Sequence, residues 1–287
     1  MKPASFQYVV PRSVGEALDA LSSEPEARLL AGGQSLVPLM NLRLARPSLV
    51  IDINELPGLD SVATVTGSVV IGALVRHRAL QRTTDVPLLA EAAARIGHPQ
   101  VRNRGTIGGS VAHGDPAAEL PACLVALRAV IVLEGPSGRR DVPASQFFRG
   151  FLSTDVRIGE IVVGVRVDPP SGTVGTALVE QAQRHGDYAF AGIAVAVQRN
   201  SVCEAVSAGA ISLADRTLDV SDAFTSLVGE SVLRRSAVDA VVERVDDLIE
   251  PRDDVHASAR YRREIARQVV ANALTRAWVS SGGEVAR

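Results

Sequence analysis

The chain has 287 residues, a formal net charge of -2, 46% hydrophobic and 22% charged residues, with both signs of charge mixed along it. That mixture leaves no broad positive face for nucleic acid or anionic lipid, and the length suits one large domain or two modest ones able to bury roughly 75% of their unfolded surface. Cys123 and Cys203, each in an apolar neighbourhood, are the only cysteines: too few for a thiolate-ligated iron-sulfur cluster, and better suited to a reducing compartment than to a disulfide framework. Residues 1–11 hold no apolar signal core, and no stretch approaches the ~18 uninterrupted apolar residues of a membrane span, so a cytoplasmic protein is expected.

In chain order, Phe6 to Val10 predicts a strand, and Ser13-Val14-Gly15-Glu16 reads as a capping box opening a helix to about Ser22. Arg28 to Ala31 predicts a short strand that delivers the first glycine loop, Ala31-Gly32-Gly33-Gln34-Ser35. Leu36, Leu39, Met40, Leu42 and Leu44 then suggest a helix. Strands are expected at Leu49–Ile53 and Ser68–Ile71, followed by one helical run from about His77 to Ile96. The polar, turn-rich residues 98–104 end in the second glycine loop, Thr106-Ile107-Gly108-Gly109-Ser110.

Beyond that loop a helix is predicted over Leu120–Leu127, with strands over Ala129–Leu133 and Ile161–Val167. Asp168-Pro169-Pro170-Ser171-Gly172 is the linker candidate, because consecutive prolines bar regular structure and a glycine follows. After residue 172 three long strands are expected, Ala177–Gln183, Ala189–Arg199 and Ala205–Leu213, and then helices only. This order indicates an α+β layer whose antiparallel sheet is covered on one face. The last helix, from about Ser258 to Val279, carries Ile265, Val269, Ala273, Leu274 and Trp278 as its buried stripe.

The two glycine loops carry the chemistry. A pyrophosphate can be bound without a nearby Lys or Arg if several main-chain N–H groups converge on it, and glycine lets the backbone turn and approach closely enough. Each charge-assisted bond contributes roughly 1.5–3 kcal/mol before ordering costs, so two loops with two or three donors each, helped by the hydroxyls of Ser35, Thr106 and Ser110, could hold a dinucleotide. Neither loop has the spaced Gly-x-Gly-x-x-Gly or the phosphate-loop lysine, which removes the Rossmann and P-loop readings. The residues alone leave an ordinary pair of turns as the alternative to a phosphate site.

The stretches 30–38, 41–44 and 104–112, with Asp115-Pro116 after them, resemble the FAD-binding medium subunit of molybdenum hydroxylases, most closely the aerobic carbon monoxide dehydrogenase type. Gly72-Ala73-Leu74, Gly159-Glu160-Ile161 and Gly186-Asp187-Tyr188-Ala189 follow in the order and spacing of that family, which also includes xanthine dehydrogenase. The resemblance implies an α+β fold. Residues 1–172 would form a FAD-binding domain of the p-cresol methylhydroxylase/vanillyl-alcohol oxidase type, in subdomains of about 1–55 and 56–172, and residues 173–287 the family's C-terminal domain with a three-stranded antiparallel sheet. It implies FAD as cofactor, a large molybdopterin subunit and a small subunit with two 2Fe-2S clusters as partners in a dimer of heterotrimers, and electron transfer from those clusters to an external acceptor.

Residue by residue, the resemblance places Ala31, Gly32, Gly33, Gln34 and Ser35, and Thr106, Ile107, Gly108, Gly109 and Ser110, at the pyrophosphate. Glu119 matches a ribityl-hydroxyl acceptor, with Asp115 as a second candidate. Tyr188 matches a tyrosine lying against the isoalloxazine, and Ile161 a position near the ring. Gln34 stands where close relatives often carry His, which implies non-covalent FAD, and Gln181 stands where they often carry Lys. The five histidines show no metal-ligand spacing, and most are expected at the surface or at helix ends, with His113 close to the second loop. Two rival readings are a self-contained flavin oxidoreductase, for which residues 173–287 offer no convergent His, Tyr and Arg set, and a flavin-free assembly subunit, which intact glycine loops argue against.

Overall fold

A computed structural model describes residues 1–286. The first layer is a small parallel sheet, β1 (Gln7–Val9), β2 (Arg28–Leu30) and β3 (Leu49–Asp52), with β3 in the middle. It carries α1 (Val14–Ser23) and α2 (Leu36–Asn41) in its connections. The capping box forms with a one-residue offset. Ser13 Oγ accepts from the Glu16 N–H at 3.1 Å, while the Glu16 carboxylate accepts from the Arg12 N–H at 2.8 Å.

Next come β4 (Val62–Val65) and β5 (Ser68–Gly72), then a series of short helices. The single helix expected over 77–96 is instead two, α3 (His77–Leu80) and α4 (Pro87–Arg95). Pro87 has no N–H to donate and disfavours helical backbone at Val86, so a helix can begin there but cannot run through it. Conversely, the segment expected to be irregular before the second loop is α5 (Pro99–Arg104), whose Pro99 supplies the fixed φ suited to a first helical turn. After it come α6 (Ile107–His113) and α7 (Glu119–Ala126).

The chain then lays down β6 (Val130–Gly135), β7 (Gly138–Pro143), the one-turn α8 (Ala144–Phe147), the small hairpin β8 (Phe148–Gly150) and β9 (Ser153–Thr154), and β10 (Ile161–Val167). Strands β4-β5-β10-β6-β7 form a five-stranded antiparallel sheet. Its central strand β10 reads as a continuous apolar run because both its faces are covered. Ile161 and Val163 join the core of the first layer with Ala17, Ile51 and Leu74, whereas Val165 and Val167 join the core beneath α4, α6 and α7.

Past residues 168–172, β11 (Thr173–Gln181), β12 (Ala191–Arg199) and β13 (Cys203–Ile211) make the expected antiparallel sheet, extended by a two-residue edge strand, β14 (Leu218–Asp219). A 3-10 turn (Ser221–Leu227), β15 (Val232–Leu233), α9 (Arg235–Leu248), α10 (Ala259–Ser280) and β16 (Glu284–Val285) complete the fold. The region after the sheet is therefore not helical throughout, since β15 and β16 pair in parallel.

The C-terminal sheet is covered on both faces, not one. Helix α10, with Trp278, packs on one face, and α9 packs against α10 and the 3-10 turn. On the other lies α7, whose eight residues are all buried and so need two surfaces to pack against. A β-carbon on Gly209 would come within 2.2 Å of the Ala122 carbonyl oxygen, and Ser207 Oγ donates to the Ala126 carbonyl at 2.6 Å. The same helix that lines the N-terminal cavity is thus seated directly on β13.

Candidate functional site

Between the first sheet, α6, α7 and the loop before β12 lies a cavity of about 630 Å3, within the size range of small-molecule and cofactor sites. The two glycine loops meet in it. A β-carbon on Gly32 would stand 2.4 Å from the Arg104 carbonyl oxygen, and one on Gly109 would stand 3.9 Å from Ala31 Cβ. Gly33 has φ +73°, a backbone state glycine adopts without steric cost.

The first loop leaves its main chain open. The N–H groups of Gly32, Gly33, Gln34 and Ser35 have no acceptor among the described residues. The second loop behaves differently from the expectation of two or three free donors. Ile107 N–H donates to the Val75 carbonyl, Gly108 N–H to the Ala73 carbonyl, and Gly109 N–H to Thr106 Oγ1, the helix N-cap, while Ser110 N–H closes onto the Thr106 carbonyl. Gly108 is needed for packing, since a β-carbon there would lie 2.4 Å from Ala73 Cβ. The second loop therefore serves mainly as a fixed wall, with four of its five amides taken and only the Thr106 N–H without an acceptor among the described residues, and the first loop supplies the run of free amides.

Two side chains that sequence reasoning missed bolt the loops together from behind. Asn54 Nδ2 donates to the Ala31 carbonyl at 2.8 Å, Arg76 Nη2 donates to Asn54 Oδ1 at 2.6 Å, and Arg76 Nη1 donates to the Arg104 carbonyl at 2.5 Å. Their partners are main-chain carbonyls far away in sequence, so no local motif announces them.

Of the residues expected at the site, Ala31 to Ser35, Thr106, Gly108, Gly109, Ser110, Asp115, Glu119, Ile161 and Tyr188 all line the cavity. Ile107 does not line it, being fully buried in the core beneath α6. Gln181 lies outside it as well, at the exposed end of β11. Residues of the cavity not anticipated include Gly97, Val101, Leu152 and His77. His77 is at a helix end, as the first residue of α3, but is not at the surface. It is 5% exposed, neither ring nitrogen has a hydrogen-bond partner among the described residues, and burial, reinforced by the Arg76 and Arg102 guanidinium groups, lowers it to about 4 despite the nearby Thr106 backbone.

The acidic end of the cavity is equally distinctive. Glu119 is 8% exposed, and burial first, then the neighbouring Glu180, push its carboxyl up to about 8. A carboxyl in that state is an O–H donor as well as an acceptor near neutral pH. Glu180 is itself raised by burial, while Arg95 Nη1 stands 3.7 Å from its carboxylate and partly opposes the rise.

Comparison with known proteins gives this geometry its context. Residues 4–170 match the family described as the FAD binding domain in molybdopterin dehydrogenase, and residues 177–277 match the CO dehydrogenase flavoprotein C-terminal domain. This chain belongs to the FAD-binding medium subunits of the molybdenum hydroxylases. Such subunits include the carbon monoxide dehydrogenase medium chain of Hydrogenophaga pseudoflava, 39% identical over 284 residues, covering 97% of this chain and 99% of that one. The alpha subunit of the 6-hydroxypseudooxynicotine dehydrogenase complex of Paenarthrobacter nicotinovorans is also 39% identical, covering 96% of each chain. The solved structure of the Hydrogenophaga pseudoflava carbon monoxide dehydrogenase that lacks the Mo-pyranopterin moiety superposes with a TM-score of 0.94 at 40% identity, covering 98% of this chain and 99% of that one.

The cavity fits the family's cofactor, FAD. It offers a run of free amides that begins at Gly32, where a β-carbon has no room, and both apolar and polar walls for a ring and a hydroxylated chain. Among the described residues no cluster of three or more His, Cys, Asp or Glu could hold a metal ion. No helix there is long and apolar enough to cross a membrane.

Proposed function

We propose that this medium subunit is the electron-collecting part of a complex in which a large molybdopterin subunit oxidises the substrate. A small subunit with two 2Fe-2S clusters relays the electrons, and the cofactor held here passes them to an external acceptor. The proposed assembly is a dimer of heterotrimers in the cytoplasm, consistent with two buried free thiols. Residues 1–172 are read as the FAD-binding domain, in parts of about 1–55 and 56–172, and residues 173–287 as the C-terminal domain.

The observation that carries this reading is the convergence of the two glycine loops on one cavity with unpaired amides. In it, the Gly32–Ser35 amides would receive the pyrophosphate. Thr106, Gly109 and Ser110 would form the opposite wall, Glu119 and Asp115 would meet the ribityl hydroxyls, and Ile161 and Tyr188 would border the ring. Bound there, FAD supplies a two-electron store that can be filled and emptied one electron at a time. Burial of Glu119 lets this chain present a proton-bearing carboxyl at that end of the cavity. With Gln34 in the first loop, no histidine there could form a covalent bond to the cofactor.

The decisive test is spectroscopic. The purified chain should show flavin absorption, with all flavin released into the supernatant on acid precipitation. A substrate should bleach it only when the two partner subunits are present. An assembled complex with no flavin absorption once the iron-sulfur contribution is subtracted would return the flavin-free assembly role, and bleaching of the lone chain by a substrate would establish a self-contained oxidoreductase.

A further inference from the structure

Among the described residues, five other than glycine have positive φ: Arg43, Thr66, Arg128, Leu152 and Ser212. Arg43 and Arg128 sit just past the ends of α2 and α7, Thr66 shares the β4–β5 turn with Gly67, and Ser212 ends β13 with its N–H held by the Pro116 carbonyl. Leu152, at φ +52°, is the one that lines the cofactor cavity. It occupies the second position of the two-residue loop between Gly150 and Ser153, the position where a positive φ ordinarily selects glycine or asparagine. A branched, apolar side chain there is conformationally costly.

Nothing in the chain rewards that cost. Leu152 is 42% exposed and its neighbour Phe151 65% exposed, so the leucine does not serve a core. Nor can the tip relax, because its base is fixed on three sides. Arg140 and Arg149 both pair with Asp155, Arg140 also pairs with Glu160, and a β-carbon on Gly114 would lie 2.7 Å from Thr154 Cγ2, so the hairpin is pressed against the C-terminal end of α6. That end lies one helical turn past Ser110, the last residue of the second glycine loop, whose carbonyl accepts from the Gly114 N–H at 3.2 Å. Leu152 lines the cavity together with Ile161 and Tyr188, the residues read above as bordering the ring.

We propose that Leu152 is a cofactor-positioning residue, held in a strained backbone state by an anchored hairpin so that its side chain packs on the apolar part of the isoalloxazine. The missing packing partner of the leucine is then the bound ring, and the strain is offset only in the loaded protein. This rests on the FAD reading above.

The test compares full-length wild-type protein with Leu152→Gly and Leu152→Met by thermal unfolding of the apoprotein and by FAD titration followed through flavin fluorescence. Glycine removes both strain and contact. The Leu152→Gly apoprotein should melt about 2–4 °C higher, yet bind FAD about tenfold more weakly. Leu152→Met keeps an apolar side chain and should bind within about threefold of wild type. Unchanged FAD affinity in Leu152→Gly, or an apoprotein that melts lower than wild type, overturns the proposal, since the leucine would then be idle or a packing residue. Failure of the wild-type protein to bind FAD would instead sink the cofactor reading itself.

Discussion

Gly32 and Gly105 are packed so closely that a β-carbon on the first would stand 2.7 Å from the Cα of the second. These residues lie at the roots of the two glycine loops, so their contact sets the width of the cavity. Gly32→Ala should force the loops apart, costing about 1–3 kcal/mol of stability and lowering FAD affinity at least about tenfold. Calorimetry and flavin titration on the same preparation check both effects, and normal FAD affinity in this variant would show that the loop spacing is not what binds the cofactor.

Arg76 and Asn54 link the first loop to the carbonyl of Arg104 through a chain of hydrogen bonds. Arg76→Ala and Asn54→Ala should each weaken FAD binding, by about 1.5–3 kcal/mol for the charged donor. The double variant should be scarcely worse than either single one, because both break one bridge. Additive losses in that cycle would mean the two side chains act separately.

Glu119 makes the apoprotein's stability depend on pH. Its carboxyl is at about 8 in the fold, against an ordinary value of 4.5, so between these values the folded state holds a proton that the unfolded state has released. The Glu119 contribution is fully present below about pH 4.5 and declines as pH rises to about 8, by an amount on the order of 5 kcal/mol. Glu119→Gln should flatten this slope in denaturant melts. A wild-type profile that is flat, or that rises, between about pH 6.5 and 8, above the interval in which His77 titrates, would show that the carboxyl is ionised in the fold.

His77 works in the opposite sense. It is at about 4 in the fold against an ordinary 6.5, so the unfolded state binds the extra proton and stability falls as pH drops from about 6.5 to about 4. Where the intervals overlap the two effects oppose each other, so Glu119→Gln should unmask a steeper acid loss than the wild-type protein shows. Proton NMR of the His77 ring should find it neutral at pH 6.

Gly209→Ala probes the seat of α7 on the C-terminal sheet, where the added carbon would approach the Ala122 carbonyl oxygen to 2.2 Å. The expected loss is about 1–3 kcal/mol, together with weaker FAD binding, because the same helix begins at Glu119. Thermal unfolding with and without FAD separates the two: loss of stability with intact affinity would show that the helix end does not move.

Periodicity and turn chemistry made much of the fold legible. The β10 strand, the proline-rich crossing at 168–172, the long strands after it and the buried stripe of α10 all follow from local pattern, as does the capping box at Ser13. The break at Pro87 was legible too, yet a helical period spanning both sides of it concealed the stop. Strands β4 and β7 passed unseen because their outward residues are polar or exposed and leave little alternation to read.

The amino-acid order by itself determined which segments could cradle a phosphate, since the freedom of glycine backbone and the absence of a phosphate-loop lysine are properties of residue type. Only the tertiary structure decided how that capacity is divided. The amides of Ile107 and Gly108 are already used by the carbonyls of Val75 and Ala73, so most of the free donors are on the first loop. Likewise, Asn54, Arg76, Leu152 and the neutral His77 take their roles from neighbours distant in the chain. Hydrogen-bond satisfaction, burial and backbone strain are set by what the fold brings together, and no local pattern encodes them.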